Sequence, residues 1–377
     1  MRKVIKYLIP LIPVLVIFGP SFIAIGYNPF SHMWAYIGAS MTGLGNGILF
    51  LKIMDQSKQI EELSRQLNLF AIVFNSCSNS VEPNSSPAWA QVLRNCNVNA
   101  IAVAGRNIYA ATENNGIYLS TDDGANWSAV NNGLPIYIGS PYYLPLSSIA
   151  LCGKYVFAGV PFGREGNVVY RSTNNGTSWS VCDSGISNSS IYALATSGTD
   201  IFAGTDSGTF RSTNYGATWT QVGYNPRVIN FGVSGSNLFE GTANGAYLTT
   251  NNGVSWSSLN SGLPTPKTIV SLAISGMNLL ADVDGWYYHS TNNGTSWTHT
   301  DSGFNDIYTL AASGSDFFSG HWGGVYRSKN NGASWTSVNT GLTNTCVETL
   351  AVSGIYLYAG LYGQGGIWRC PLLQNAQ

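Results

Sequence analysis

Cleaving a glycosidic bond takes two carboxyl groups held at a set separation, one giving a proton and the other attacking or activating water. Glu113, Glu165, Asp206 and Asp284 are the acids available for this in loop-like parts of the sequence, but they are scattered, with no visible pairing. A second kind of chemistry is written more plainly. PIYIGSPYYLP (residues 135–145) carries Tyr137, Tyr142 and Tyr143, and VPFGREGN (160–167) sets Phe162 beside Arg164 and Glu165. Trp286, His321 and Trp322 add aromatic character in VDGWYYHS and GHWGGVY. Rings next to a few polar groups suit stacking on a sugar or against a peptide loop; the same rings would also serve simply to pack the loops down. No Ser/His/Asp arrangement or phosphate-cradling loop stands out, and the four histidines lack ligand spacing. The six cysteines (77, 96, 152, 182, 346 and 370) are spread without a CxxC, so neither a metal nor a cofactor is expected, and disulfide pairing stays open.

The elements that would position these residues follow from composition and repetition. Only 9% of the 377 residues are charged, 12% are aromatic, and the net charge is -1. Such sequence, rich in Gly, Asn, Ser and Thr, fits short strands joined by tight turns. With no basic cluster beyond the first few residues, nucleic acid is not an expected partner.

RSTNNGTSW (Arg171–Trp179) nearly returns as HSTNNGTSW (His289–Trp297), with weaker copies ending at Trp127, Trp219, Trp256 and Trp335. The six tryptophans lie 52, 40, 37, 41 and 38 residues apart. A period near 40 marks a stacked or radial repeat. Each unit reads as four short strands, too short for a crossover helix, which is the make-up of a propeller blade. The nonapeptide falls between the third and fourth strands. Ser172 and Asn174 offer acceptors to the turn, Gly176 supplies positive φ, and Trp179 is expected to wedge between blades.

This pattern resembles the Asp-box, or bacterial neuraminidase repeat, of sialidases, some xyloglucan-cleaving glycosidases and photosystem II assembly factors of the Ycf48 type. Ser120, Asp122, Gly124 and Trp127 match S-x-D-x-G-x-x-W in full, whereas Asn174, Asn214, Asn251, Asn292 and Asn330 replace the Asp in the other copies. The resemblance spans residues 88 to 377 and implies a propeller in which the box is structural and lies away from any active site. It also implies what a sialidase would need: three arginines converging on a carboxylate, a Tyr/Glu pair and an acidic donor. Only Arg164 and Arg227 are expected on the loop face, while Arg171, Arg211, Arg327 and Arg369 share one position beside the box and read as structural.

A seventh unit begins at Val347 and lacks a fourth strand, whereas AWAQVL (Ala88–Leu93) stands alone ahead of the first unit with Trp89 at the box-tryptophan position. Pairing the two would remove both open edges. We therefore expect an all-β, seven-bladed propeller closed by N-terminal strand exchange. Loops from second to third strands should share a face with blade-to-blade loops, gathering Tyr137, Tyr142, Tyr143, Phe162, Arg164 and Glu165 with Glu113, Asp206, Arg227, Asp284, Trp286, His321, Trp322 and Tyr362. The box turns should lie opposite.

Residues 1–54 differ in kind. Tyr7–Tyr27 and Trp34–Leu51 are uncharged, the first following Arg2, Lys3 and Lys6, and read as two transmembrane helices; an export signal with a hydrophobic tether is the alternative. Residues 55–87 read as an amphipathic stalk and linker, with Cys77 either a lipid-bearing residue or an ordinary linker position. Lys52, Lys58 and Arg65 would return the chain to the cytoplasm, yet the composition after residue 88 is that of an exported protein. The expectation is a membrane-anchored, extracytoplasmic, non-catalytic scaffold binding protein or carbohydrate; the alternative is a glycoside hydrolase using the loop face.

Overall fold

This computed structural model describes residues 88–161, 168–186, 189–225, 227–264, 267–300 and 307–372, together with the strands Val14–Ile17, Ser21–Asn28 and Met33–Ser40. The chain divides into two compact units, Met1–Ser85 and Ser86–Gln377.

In the first unit the three strands form an antiparallel sheet in chain order. The described parts of both apolar stretches are strand, so the expectation of two helices finds no support there. Hydropathy reports burial and not backbone state, and VLVI and SFIAIG are rich in residues that favour strands. Among the described residues no helix is long and apolar enough to cross a membrane.

The second unit is a seven-bladed propeller. Six blades are consecutive four-stranded antiparallel meanders, and the seventh joins Val347–Ser353, Tyr356–Leu361 and Gly366–Pro371 to the N-terminal strand Ala90–Leu93. The expected closure is therefore present, with Trp368 opposite Gln91 and Arg369 opposite Ala90. First strands of neighbouring blades run side by side around the ring, blade 7 against blade 1.

Burial follows from this order. Second strands such as Asn107–Thr112 and Asn278–Val283 are covered almost throughout, because blades pack on both of their faces. Short fourth strands such as Ser128–Ala129 form the exposed rim. The core is consequently a set of seams between blades. Ile117 joins Ala158, Val169 joins Ala203, Ala246 joins Ala281, Val325 joins Ala359, and Ile367 joins Ala110 in shared apolar clusters. At the same register two seams are polar: Thr209 bonds Glu240, and Tyr287 donates to Ser319 at 2.5 Å.

The box turns behave as their composition demands. Ser172 Oγ accepts the Gly176 N–H at 2.7 Å and donates to Asn174 Oδ1 at 2.9 Å, which in turn accepts the Ser178 N–H at 2.9 Å. Asn175 and Gly176 both hold positive φ, 56° and 87°. In the one full match, hydrogen bonds from Asn126 and Ser120 hold the Asp122 carboxyl down at about 2. Trp179, Trp219 and Trp297 each donate their indole N–H to the preceding blade, to Val130, Cys182 and Leu259 carbonyls, all at 2.7 Å. Trp256 does the same to Val222 at 3.0 Å. Trp127 departs from this, bonding Gly124 of its own turn, and Trp335 stacks on Tyr287 at 4.8 Å. A repeated glycine makes the wedge fit: a Cβ on Gly133, whose φ is +90°, would stand 2.3 Å from the Trp179 carbonyl oxygen.

Candidate functional site: the loop face and channel mouth

Two sets of backbone hydrogen bonds define the faces. Glu113, Asp284 and Tyr362, just past their second strands, donate N–H to Asn97, Thr268 and Cys346, just before their first strands. Loops between second and third strands thus share a face with blade-to-blade loops. On the other side, Asp123 and Asn293 of the box turns donate to Arg106 and Met277 in the turns between first and second strands.

Exposed aromatic side chains divide unequally between these faces. Tyr142, Tyr224, Trp286, Trp322 and Tyr362, the large aromatics exposed among the described residues, all lie on the loop face. The box face exposes the aliphatic side chains of Val254, Met277 and Ile355 instead. Trp286 is carried by a tight turn in which Asp284 and Gly285 hold φ of 50° and 87°, and it leans on His299 at 5.5 Å. Trp322 donates its indole N–H to Tyr308 Oη.

The remaining expected residues separate into three groups. The blade 1–2 loop folds back on itself, Tyr137 N–H donating to the Tyr142 carbonyl at 2.9 Å and Tyr143 N–H to Asn114 at 3.1 Å. Only Tyr142 of its three tyrosines is exposed; Tyr137 and Tyr143 are half-buried against the core. His321 does not face solvent: it is 3% exposed, with Nε2 2.9 Å from Tyr287 Oη and 2.8 Å from Ser319 Oγ. It is part of the polar seam between blades 5 and 6. Phe162, Arg164 and Glu165 lie outside the described residues. Glu113, Asp206, Arg227 and Asp284 do lie on the loop face, Asp284 paired with Lys267 at 3.1 Å and Arg227 over the Tyr192 ring at 5.2 Å.

What the sequence reading missed is a ring at the channel mouth. In six blades the first strand shifts register against the second after a single residue, between Val98/Ala100, Ile191/Ala193, Val228/Asn230, Ile269/Ser271, Ile307/Thr309 and Val347/Thr349. Each shift releases one residue from the ladder, and a bulge of this sort re-aims a side chain. The released residues are Asn99, Tyr192, Ile229, Val270, Tyr308 and Glu348, and Ser147 holds the matching place in blade 2. All seven are half-buried and sit where the first strands enter the channel from the loop face. Their chemistry is lopsided. Glu348, Asn99 and Ser147 make a polar arc over blades 7, 1 and 2, while Ile229 and Val270 make an apolar arc flanked by Tyr192 and Tyr308. The only hint in the sequence is one residue out of step at the start of each first strand.

Beside the polar arc is a cleft of about 220 Å³ lined by Asn95, Asn97, Glu113, Asn114, Tyr142 and Gln364. Glu113 accepts from Asn97 Nδ2 at 2.5 Å. Burial, and then the Glu113 charge, raise the Glu348 carboxyl above its ordinary value. Two further carboxyls are buried in seams and not at the mouth. Glu240 is pushed up to about 7 by burial, against hydrogen bonds from Thr209 and Asn225, and Asp282 rises to about 7 for the same first reason.

The arginines beside the boxes are structural. Arg171 Nη1 donates to the Tyr215 carbonyl at 2.6 Å, Arg369 Nη1 to Asp123 at 2.5 Å, Arg211 pairs with Asp200 at 2.6 Å, and Arg327 pairs with Asp316. Among the described residues no group of three or more His, Cys, Asp or Glu is placed to hold a metal. Burial raises the Cys96 and Cys182 thiols to about 11 and about 12, so they are poor nucleophiles.

The fold and this site together define a seven-bladed propeller with an aromatic loop face. No protein-family model matches the chain, and no curated protein matches it in sequence. Solved structures do. Ycf48 bound to D1 peptide is similar at 15% identity and a TM-score of 0.59, over 78% of this chain and 98% of that one. The GH74 xyloglucanase of Xanthomonas campestris is similar at 17% identity and a TM-score of 0.59, over 77% of this chain and 54% of its own. The extracellular domain of a putative one-component system from B. thetaiotaomicron reaches a TM-score of 0.60 at 13% identity, over 75% of this chain and 39% of the other. The chain thus spans about half the length of the xyloglucanase (54%) and less of the last (39%). At such identities the likeness is one of fold.

Proposed function

We propose that this chain is a non-catalytic binding propeller that holds a polypeptide partner on its loop face, in an assembly or scaffolding role. The observation that carries this reading is the confinement, among the described residues, of exposed aromatics, Tyr142, Tyr224, Trp286, Trp322 and Tyr362, to that one face. Tyr and Trp supply large contact area at low entropic cost and recur at protein interfaces. The similar Ycf48 structure, which holds a peptide, supports the same reading. We further place the propeller outside the cytoplasm, on its sparsely charged, hydroxyl-rich composition, with the apolar residues before 54 as its attachment to a membrane. Protease digestion of intact cells tests the side: protection of the propeller until the membrane is broken would refute it.

The test of the binding reading is photo-crosslinking in cells. A photoreactive amino acid at Tyr142, Trp286 or Trp322 is expected to give discrete polypeptide adducts, and the same group at Val254 or Met277 none. Equal adducts from both faces, or none from either, would defeat the reading.

A glycosidase is the second reading, favoured by one observation: the face that carries the aromatics also holds a cleft lined by Glu113, whose charge adds to burial in raising the Glu348 carboxyl. Its test is hydrolysis of xyloglucan by the full-length protein, which this reading expects to be lost in Glu113→Gln and Glu348→Gln.

A further inference from the structure

The mouth ring deepens the binding reading, on which the following inference rests. Bulges in six blades place one chosen residue each at the channel entrance, so the ring's composition is open to selection apart from the packing of the blades. In this chain the ring is amphipathic: acid and amide on one arc, aliphatic on the other, with a tyrosine at each border. The acidic side continues into the cleft, whose lining includes Glu113 and no lysine or arginine.

We infer that the mouth reads an extended polypeptide through one basic and one apolar side chain, the cation held on the acidic side by Glu348 of the ring and Glu113 of the adjoining cleft, and the apolar group lying on Ile229 and Val270. Glu348 stands in the ring and Glu113 in the cleft beside it, and burial, then the Glu113 charge, raise the Glu348 carboxyl; a cation brought to that side is attracted by both. An acidic side chain would meet the opposite outcome. The second anchor has its own physical basis. Ile229 and Val270 are half-buried neighbours in the ring, bordered by Tyr308 and by Tyr192, whose ring carries the Arg227 guanidinium, so an apolar side chain there loses water against two aliphatic side chains and the Tyr308 ring. Aromatic residues outside the mouth, Trp286 and Trp322, then supply contact area without sequence preference.

The experiment selects a random decapeptide phage library on the full-length protein and on Glu348→Gln, Ile229→Ser and Trp286→Ala/Trp322→Ala variants, each checked for its native circular-dichroism melt. Peptides enriched on the wild type are expected to carry a Lys or Arg close to a Leu, Ile, Val or Phe. Their binding should weaken about tenfold in Glu348→Gln, the scale of a lost charged hydrogen bond, and weaken in Ile229→Ser when the apolar residue is present. Should Ile229→Ser fail to fold, Val270→Ala tests the same arc, and Glu113→Gln stands in likewise for Glu348→Gln. Enriched peptides without a basic residue, or equal binding to wild type and Glu348→Gln, overturn the inference and leave the binding reading standing. No enrichment above background overturns both.

Discussion

The indole nitrogen of Trp89 lies 2.6 Å from the carbonyl oxygen of Val338, across 249 residues of chain, and the Trp89 N–H donates to Thr340 at 2.8 Å. Trp179 makes the same two bonds, to Val130 and Asn132, between blades 2 and 1. Trp89 is therefore a seventh box tryptophan without a box, and it wedges the closing blade against blade 6. Trp89→Ala is expected to cost about 3–5 kcal/mol, the range for a buried Trp truncated to Ala. Trp127→Ala, whose indole bonds only its own turn, should cost less. Urea unfolding of the two variants makes the comparison; equal losses would mean that the ring does not depend on that wedge.

The seams carry a pH prediction. Glu240 and Asp282 have folded pKa values near 7, above their ordinary 4.5 and 3.8. In that interval the folded protein binds more protons than the unfolded chain, so stability falls as pH rises from about 4 to about 7 and then levels. At the value of a pKa unit, Glu240 contributes up to about 3 kcal/mol and Asp282 up to about 4 kcal/mol to the fall. Glu240→Gln should flatten the pH profile of the unfolding free energy. A wild-type profile that rises across this range would contradict the assignment.

The turn predicts a local effect. Ser172 is fully buried and its Oγ accepts the Gly176 N–H. Ser172→Ala strands that N–H and is expected to cost about 1–3 kcal/mol. Ligand binding at the loop face should be unaffected, since the box lies on the other side; a calorimetric melt and a binding isotherm on the same variant separate the two.

Much of this architecture is legible in the residues alone. Blade number and ring closure follow from the recurring nonapeptide and from Trp89, because one turn and one wedge are needed per blade and each leaves a fixed signature. The sequence reading also assigned Tyr142, Trp286 and Trp322 to one face, because strand order decides which loops meet. It did not reveal that His321 is buried, since a neighbouring blade supplies Tyr287 as its partner. Nor did it reveal Glu348 and the mouth ring, since a bulge is a register event between two strands and leaves a single residue out of alternation. For the apolar N-terminal stretch, whose described parts are strand, hydropathy alone is silent about helix against strand.

Binding to the two faces gives the most direct test of the whole account. For a peptide selected on the full-length protein, Trp286→Ala/Trp322→Ala is predicted to weaken affinity about tenfold or more, as truncating interface tryptophans does, while Val254→Ser and Met277→Ser on the box face leave it unchanged. Loss of affinity in the box-face variants with none in the tryptophan variants would contradict it.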